Sequence, residues 1–259
     1  MSSLTGEFPF SLQTAHGILR GWQQETGSGP IGVFIHGFRS HCGGAKARAL
    51  ARHAQTHAYS WLRLDLRGHG QSDGDFSTFS LSGLGQDLEA VLAHLSPRPV
   101  VLVGSSMGAW LAVLGARQQQ HASNSQIQGL VLIAPGFNFM QSYAANLTPA
   151  ELRQWQCAGT RVCTSAAEPD AYILNYAAVT DAAQFDVLSA PLTLSCAVIL
   201  IHGENDAVAP VSLSQRFARL LTAPYKRLQI IPGGDHRLLA GLPEIYQAVD
   251  QIWLSLAKG

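Results

Sequence analysis

Ser106 lies at the centre of Gly104-Ser105-Ser106-Met107-Gly108, with a glycine two residues before it and two residues after. Val100-Val101-Leu102-Val103 leads into this stretch, a run too short for a helix and rich in β-branched residues, so it reads as a buried strand. Met107 to Arg117 follows with helix-compatible composition. Strand, tight turn and helix around G-x-S-x-G form the setting of a nucleophile elbow, in which a strained backbone lifts the central hydroxyl above a sheet. Side chains two residues before and after the serine would collide there, which explains the glycines. Ser105 lacks that framing, so Ser106 is the candidate. The chemistry is attack by a hydroxyl on an electrophilic carbon, and a serine needs a base and an orienting carboxylate for it.

In this topology the chain order is serine, acid, histidine. His202-Gly203-Glu204-Asn205-Asp206-Ala207-Val208-Ala209-Pro210 follows a buried strand and offers two acids, Glu204 and Asp206. Asp206 has a second reading as the cap of the helix that starts near Pro210. His236, in Pro232-Gly233-Gly234-Asp235-His236-Arg237, sits on a glycine-bordered loop after the last strand. The chain has 10 histidines, so position in the strand order, not residue type, selects His236 as the base. Asp235 beside it reads as structural. An oxyanion needs preorganised backbone donors. One follows the nucleophile, the amide of Met107, and the other comes from the early loop His36-Gly37-Phe38, the amide of Phe38. His53 and His57, four apart on a helix, imitate a metal pair. No glutamate follows His53 and no third ligand is evident, so they read as a solvated helix face. No metal or cofactor site is expected.

These residues need elements to hold them. Phe8 to Glu25 suits an N-terminal β-hairpin, and Ile31-Gly32-Val33-Phe34-Ile35 is a buried strand running into the His36 loop. A helix over Ala45 to His57, a strand over Tyr59 to Leu64, the turn Asp65 to Ser72 and an amphipathic helix over Ser80 to Leu95 follow. After the elbow come strands at Leu130 to Ile133, Ala197 to Ile201 and Leu228 to Ile231, and a final helix over Pro243 to Lys258. Strands alternating with helices predict a mostly parallel sheet covered on both faces, with ligands beyond the carboxyl ends of the strands. His36-Gly37-Phe38, Asp65, Ser106 and Ala134-Pro135 then share one rim. From Gly136 to about Ser195 the alternation stops and aromatic residues mix with polar ones: Phe137, Phe139, Tyr143, Trp155, Tyr172, Tyr176 and Phe185. This segment reads as a mostly helical cap over the rim. The expected organisation is a core of residues 1–135 and 196–259 with a cap insertion at 136–195.

The 259 residues suffice for one large α/β domain. Net charge is zero and charged residues make up only 13%, which argues against a nucleic-acid surface or a polybasic membrane patch. No apolar run approaches the ~20 residues of a membrane span, and Met1 to Phe10 carries no signal-peptide pattern. Cys42, Cys157, Cys163 and Cys196 lack metal-like spacing and read as reduced thiols of a cytoplasmic protein; a Cys157–Cys163 bridge would need export.

With these pieces assembled the chain resembles the α/β-hydrolase superfamily over nearly its whole length. The match rests on His36-Gly37-Phe38, on Asp65-Leu66-Arg67-Gly68-His69-Gly70-Gln71-Ser72, on the elbow, and on the loops of Asp206 and His236. The resemblance implies an α/β-hydrolase fold, and it selects Asp206 over Glu204, since the family's acid stands fifth in H-G-x-x-D. Gly37-Phe38-Arg39-Ser40, Gly44-Ala45-Lys46-Ala47, Ser72-Asp73-Gly74, Val103 to Trp110 and Asp235-His236-Arg237 further resemble one branch. That branch holds acyl-protein thioesterases that remove palmitate from cysteine and whose mitochondrial animal members also hydrolyse acyl glucuronides. This chain departs from it at Ala109, in much of the cap, and in lacking a mitochondrial leader. The implied activity is hydrolysis of a small acyl ester or thioester, an acylated protein being one candidate donor. Rival readings on the same fold are C–C bond hydrolysis, cofactor-free peroxidation, and a non-catalytic small-ligand receptor. A serine rather than an aspartate at the elbow argues against epoxide hydrolase or dehalogenase chemistry.

Overall fold

A computed structural model describes residues 3–120, 125–165 and 168–256. The chain opens with the hairpin β1 (Phe8–Thr14) and β2 (Gly17–Gln24). Next come β3 (Ile31–Ile35), α1 (Ala45–Thr56), β4 (Ser60–Leu64) and α2 (Leu81–Leu95). The elbow strand β5 (Val100–Ser105) leads directly into α3 (Met107–Gln119), followed by β6 (Ile127–Ile133). Then come α4 (Phe139–Ala145), α5 (Pro149–Ala158), the antiparallel pair β7 (Thr160–Ser165) and β8 (Glu168–Asn175), and α6 (Ala177–Ala182). The chain continues through β9 (Leu192–Thr193), β10 (Ala197–Gly203), α7 (Val211–Leu220), β11 (Leu221–Thr222), β12 (Lys226–Ile231) and α8 (Leu242–Leu256). The expected end of the last helix at Lys258 lies outside the described residues.

Eight strands form one sheet in the order β1-β2-β4-β3-β5-β6-β10-β12. β1 pairs antiparallel with β2 and β2 with β4, and the rest of the sheet is parallel. Every residue of β3 and β4 is buried. That is the signature of strands covered on both faces, and it explains why β3 is a continuous run without polar residues; in β4 the buried Ser60 and Arg63 are carried by partners, Arg63 by Glu7 and the Cys42 carbonyl. Two apolar layers do the covering, one around Trp110, Leu111 and Leu88 and one around Trp61, Leu50 and Val249. The helices carry their own start signals. The Ser80 hydroxyl accepts from the Gly83 amide at the head of α2, and Thr148 and Glu151 form a reciprocal cap on α5 behind Pro149.

β4 lies on one side of β3 and β5 on the other, so the strand order reverses between β3 and β5. Their carboxyl ends therefore splay two loops apart and open a crevice, the place where sheets of this kind hold ligands. The loops are His36-Gly37-Phe38 and Ser105-Ser106. Over residues 136–195 the described residues form three short α-helices and also the β7–β8 hairpin, which the sequence did not signal.

Candidate active site

Ser106 has φ 54° and ψ −117°, a conformation strained for any residue with a side chain. The surroundings enforce it. The Ser106 amide donates to the Ile133 carbonyl of β6 at 2.9 Å, and its carbonyl accepts from the Ala109 amide at 3.0 Å as α3 begins. The framing glycines are required by close approach. A Cβ on Gly104 would stand 2.3 Å from the Gly108 carbonyl oxygen, and one on Gly108 would stand 2.2 Å from the Ile35 carbonyl oxygen.

The structure brings the three predicted side chains into series. The Ser106 hydroxyl faces His236 Nε2 at 3.0 Å, and His236 Nδ1 donates to Asp206 Oδ2 at 2.7 Å. Asp206 is buried, with its other oxygen accepting from the Val208 and Ala209 amides at 2.9 and 2.8 Å. Its carboxyl feels two opposed effects. Burial pushes its pKa up, but hydrogen bonds from His202, His236 and the Ala209 amide outweigh burial and hold it well below the usual carboxylate range. Glu204, the rival acid, turns away and accepts from the Gly233 amide at 2.9 Å. Asp235 receives the Leu238 amide at 2.8 Å, the structural role expected of it.

Neither the Phe38 amide nor the Met107 amide has a hydrogen-bond partner among the described residues. Both belong to segments that border Ser106. Gly37 packs so near that a Cβ there would stand 3.2 Å from Ser106 Cβ, and Met107 opens α3 immediately after the serine. Two neutral histidines brace the loops. His36 accepts the Leu66 amide on Nε2 at 3.0 Å and donates from Nδ1 to the Gly37 carbonyl at 2.8 Å. His69 answers from the opposite loop, accepting the Arg39 amide at 3.3 Å and donating to the Arg67 carbonyl at 2.9 Å. Burial lowers both pKa values, that of His36 to about 3. Asp65 is also a staple, accepting the Cys42 and Gln71 amides at 2.6 and 2.8 Å.

Three contributors, His202, Gly136 and Lys46, were not singled out by sequence reasoning, and Phe38 was singled out for its amide and not for its ring. His202 was quoted only as the start of its loop, yet it is fully buried and donates from Nε2 to the Ala209 carbonyl and to Asp206 Oδ2, at 2.8 and 3.1 Å. Its strand position disguised it as part of an apolar run. Gly136 ends the stretch after β6, and a Cβ there would stand 3.1 Å from Ser106 Oγ. Lys46 on α1 donates to Ser105 Oγ at 2.8 Å; burial drives its pKa down to about 8, against the opposing pull of Asp235 and Asp206. Phe38 is the hub of an aromatic wall. Its ring centroid lies 5.2 Å from those of Phe76, Phe79 and Phe139 and 5.9 Å from that of Tyr172. Tyr172 belongs to β8, and Arg39 lies over its ring at 4.1 Å while donating to the Asp170 carbonyl. Two hollows of about 720 and 570 Å³ lie elsewhere, beside α2–α3 and beside Asp186; no triad side chain lines either, so they are not part of this site.

None of the four cysteines is in a disulfide. No helix among the described residues is long and apolar enough to cross a membrane.

A profile of the alpha/beta hydrolase family matches residues 33–245. The rat palmitoyl-protein thioesterase ABHD10, mitochondrial, is 26% identical over 213 residues, covering 82% of this chain and 70% of that protein. Among solved structures, the mouse alpha/beta hydrolase domain-containing protein 10 superposes with a TM-score of 0.85 at 22% identity, covering 96% of this chain and 99% of that one. Est1E from Butyrivibrio proteoclasticus, with ferulic acid bound, gives 0.77 at 20% identity over 96% and 100%. At these identities the two structures speak to the fold.

Proposed function

The chain belongs to the alpha/beta hydrolase family, and on that premise we propose that it cleaves carboxylic esters or thioesters through an acyl-Ser106 intermediate. The observation that carries the reading is the unbroken series of hydroxyl, imidazole and carboxylate at 3.0 and 2.7 Å. Ser106 Oγ attacks the acyl carbon while His236 Nε2 takes its proton. Asp206 accepts from Nδ1–H, fixes the tautomer and stabilises the imidazolium that forms. The negative oxygen of the tetrahedral intermediate is held by the amides of Phe38 and Met107, each worth ~10²–10³ in rate. His236 then passes its proton to the leaving alcohol or thiol. Water, deprotonated by the same imidazole, releases the acid and restores Ser106.

Residues 136–195 act as a cap on this reading, and the core is 1–135 with 196–259. The aromatic wall around Phe38 receives the apolar part of the acyl group, since it joins the oxyanion loop to the cap through Phe139 and Tyr172. Likeness to a palmitoyl-protein thioesterase supports thioesters, including an acylated protein, among the substrates. Four cysteines outside any disulfide support a reducing compartment, the cytoplasm on this reading, although the relative's own name places it in mitochondria.

The test is a panel of p-nitrophenyl esters and acyl-thioesters of graded chain length, run on the wild type and on Ser106→Ala. Wild type should turn over the panel, and Ser106→Ala should lose at least 99% of that turnover with an unchanged thermal midpoint. A fluorophosphonate probe should label wild-type Ser106 alone. A Ser106→Ala protein that keeps more than a few per cent of wild-type turnover overturns the assignment. A folded wild type that neither labels nor turns over any substrate is a receptor.

A further inference from the structure

His53 and His57, read from the sequence as a solvated face, have a third partner in the fold. Asp250 of α8 comes up against them, and the ligating atoms of the three side chains all lie within 4.8 Å of one another. We propose that His53, His57 and Asp250 form a binding site for a divalent cation of the zinc class, clamping α1 to α8.

The side chains are held as ligands need to be. His57 donates from Nδ1 to the His53 carbonyl at 2.9 Å, which fixes the ring and leaves Nε2 as its ligating atom. Such a second-shell bond to a backbone carbonyl is the usual way a protein orients a metal-binding imidazole. His53 is stacked flat on Tyr246, 4.3 Å between centroids and 2° between planes, and its side chain is only 10% exposed. Tyr59 donates to Asp250 Oδ1 at 3.2 Å and is itself stacked on Trp253. His53 and Asp250 are therefore fixed by packing, and the third ligand, exposed His57, is held with its ring centroid 4.1 Å from that of His53.

Geometry and charge agree. Tetrahedral zinc at about 2.0–2.1 Å from each ligand separates ligating atoms by roughly 3.3 Å. His53 Nε2 and Asp250 Oδ1 already stand 2.8 Å apart, and a His57 ligating atom lies within 4.8 Å of the other two. Two imidazoles and one carboxylate, with a fourth position open to water, suit zinc rather than calcium or magnesium, which prefer oxygen. His57 is also the residue on which α1 ends, so the ion would sit at the negative end of the helix dipole. On binding, the ion takes the place of the hydrogen between His53 Nε2 and Asp250, and the imidazole proton moves to Nδ1.

The site lies away from the proposed chemistry. α1 begins beside the elbow, where Lys46 reaches Ser105, and ends at His57, just before the amino-terminal end of β4 at Ser60. Its expected effect is on the packing of α1 against α8.

The experiment is calorimetric titration of the chelator-stripped full chain with Zn²⁺, repeated on His57→Ala and Asp250→Asn, with Co²⁺ absorption as a second reading. Wild type should bind one Zn²⁺ per chain at micromolar or tighter affinity, gain a few degrees in thermal midpoint, and give intense tetrahedral Co²⁺ bands. Exposed His57 can be removed without disturbing the core, and loss of this direct ligand should weaken Zn²⁺ binding by at least the ~10-fold that loss of a mere second-shell partner costs. Asp250→Asn should do the same. No stoichiometric binding below about 100 µM overturns the proposal, and leaves His53–Asp250 as an interhelix hydrogen bond only. Binding that His57→Ala leaves unchanged places the ion elsewhere and overturns it equally.

Discussion

Asp206 is held by two backbone amides, His202 and His236, so its charge is fixed well before substrate arrives. Asp206→Asn should keep the fold yet lower kcat by about 10⁴, because the amide favours the wrong imidazole tautomer; steady-state kinetics on one good ester checks this. Lys46 is the opposite case, a charge that burial penalises. Its pKa falls from 10.5 unfolded to about 8 folded, so below pH 8 the folded state must carry a buried ammonium. Lys46→Met should therefore stabilise the protein by about 3 kcal/mol at pH 7, and the gain should fade between pH 8 and 10.5, as denaturant titrations at stepped pH would show. His36 gives acid sensitivity. With its pKa lowered to about 3, it stays neutral in the fold while the unfolded chain takes up a proton below pH 6.5. Stability should fall by several kcal/mol between pH 6.5 and 3, and His36→Gln should flatten that slope. The loops that bring Ser106, Asp206 and His236 together were readable in the sequence because each follows a strand in a fixed order, and the family resemblance chose Asp206 over Glu204. His202 and Lys46 were not, because their roles depend on burial rather than on motif.

At the scale of elements, the elbow exists because β5, α3 and the end of β3 approach closer than side chains permit. Gly108→Ala puts a methyl against the Ile35 carbonyl and should cost about 2 kcal/mol or more in thermal or chemical denaturation, with a loss of kcat as Ser106 shifts. The strands around the elbow were legible since burial on both faces makes them short unbroken apolar runs. The β7–β8 hairpin was not. Val162 and Ile173 point outward, 69% and 49% exposed, while Cys163 and Leu174 between and beside them are buried, so inside and outside are both apolar and no alternation survives. The helix α1 was also legible, but the meaning of its two histidines was not, because Asp250 stands 193 residues beyond His57 and meets them only when α8 docks.

Across the whole molecule, the aromatic wall joins parts that are remote in sequence: Phe38 after β3, Phe76 and Phe79 before α2, Phe139 on α4 and Tyr172 on β8. If it seats the acyl group, Tyr172→Ala should raise KM for long acyl chains several-fold more than for acetyl esters while changing kcat little, as the graded panel would report. The sequence marked 136–195 as irregular and aromatic-rich but left open which of its rings would meet Phe38, since that follows from packing between segments. Ser106 and His236 are likewise 130 residues apart, and His236 stands behind β12, the outermost strand on its side of the sheet. On a ribosome this order has a consequence in time. The alcohol emerges first, its turn closes only when Ile133 of β6 is in place, and on the proposed mechanism it has no imidazole beside it until residues 226–236 have been made and laid against β10.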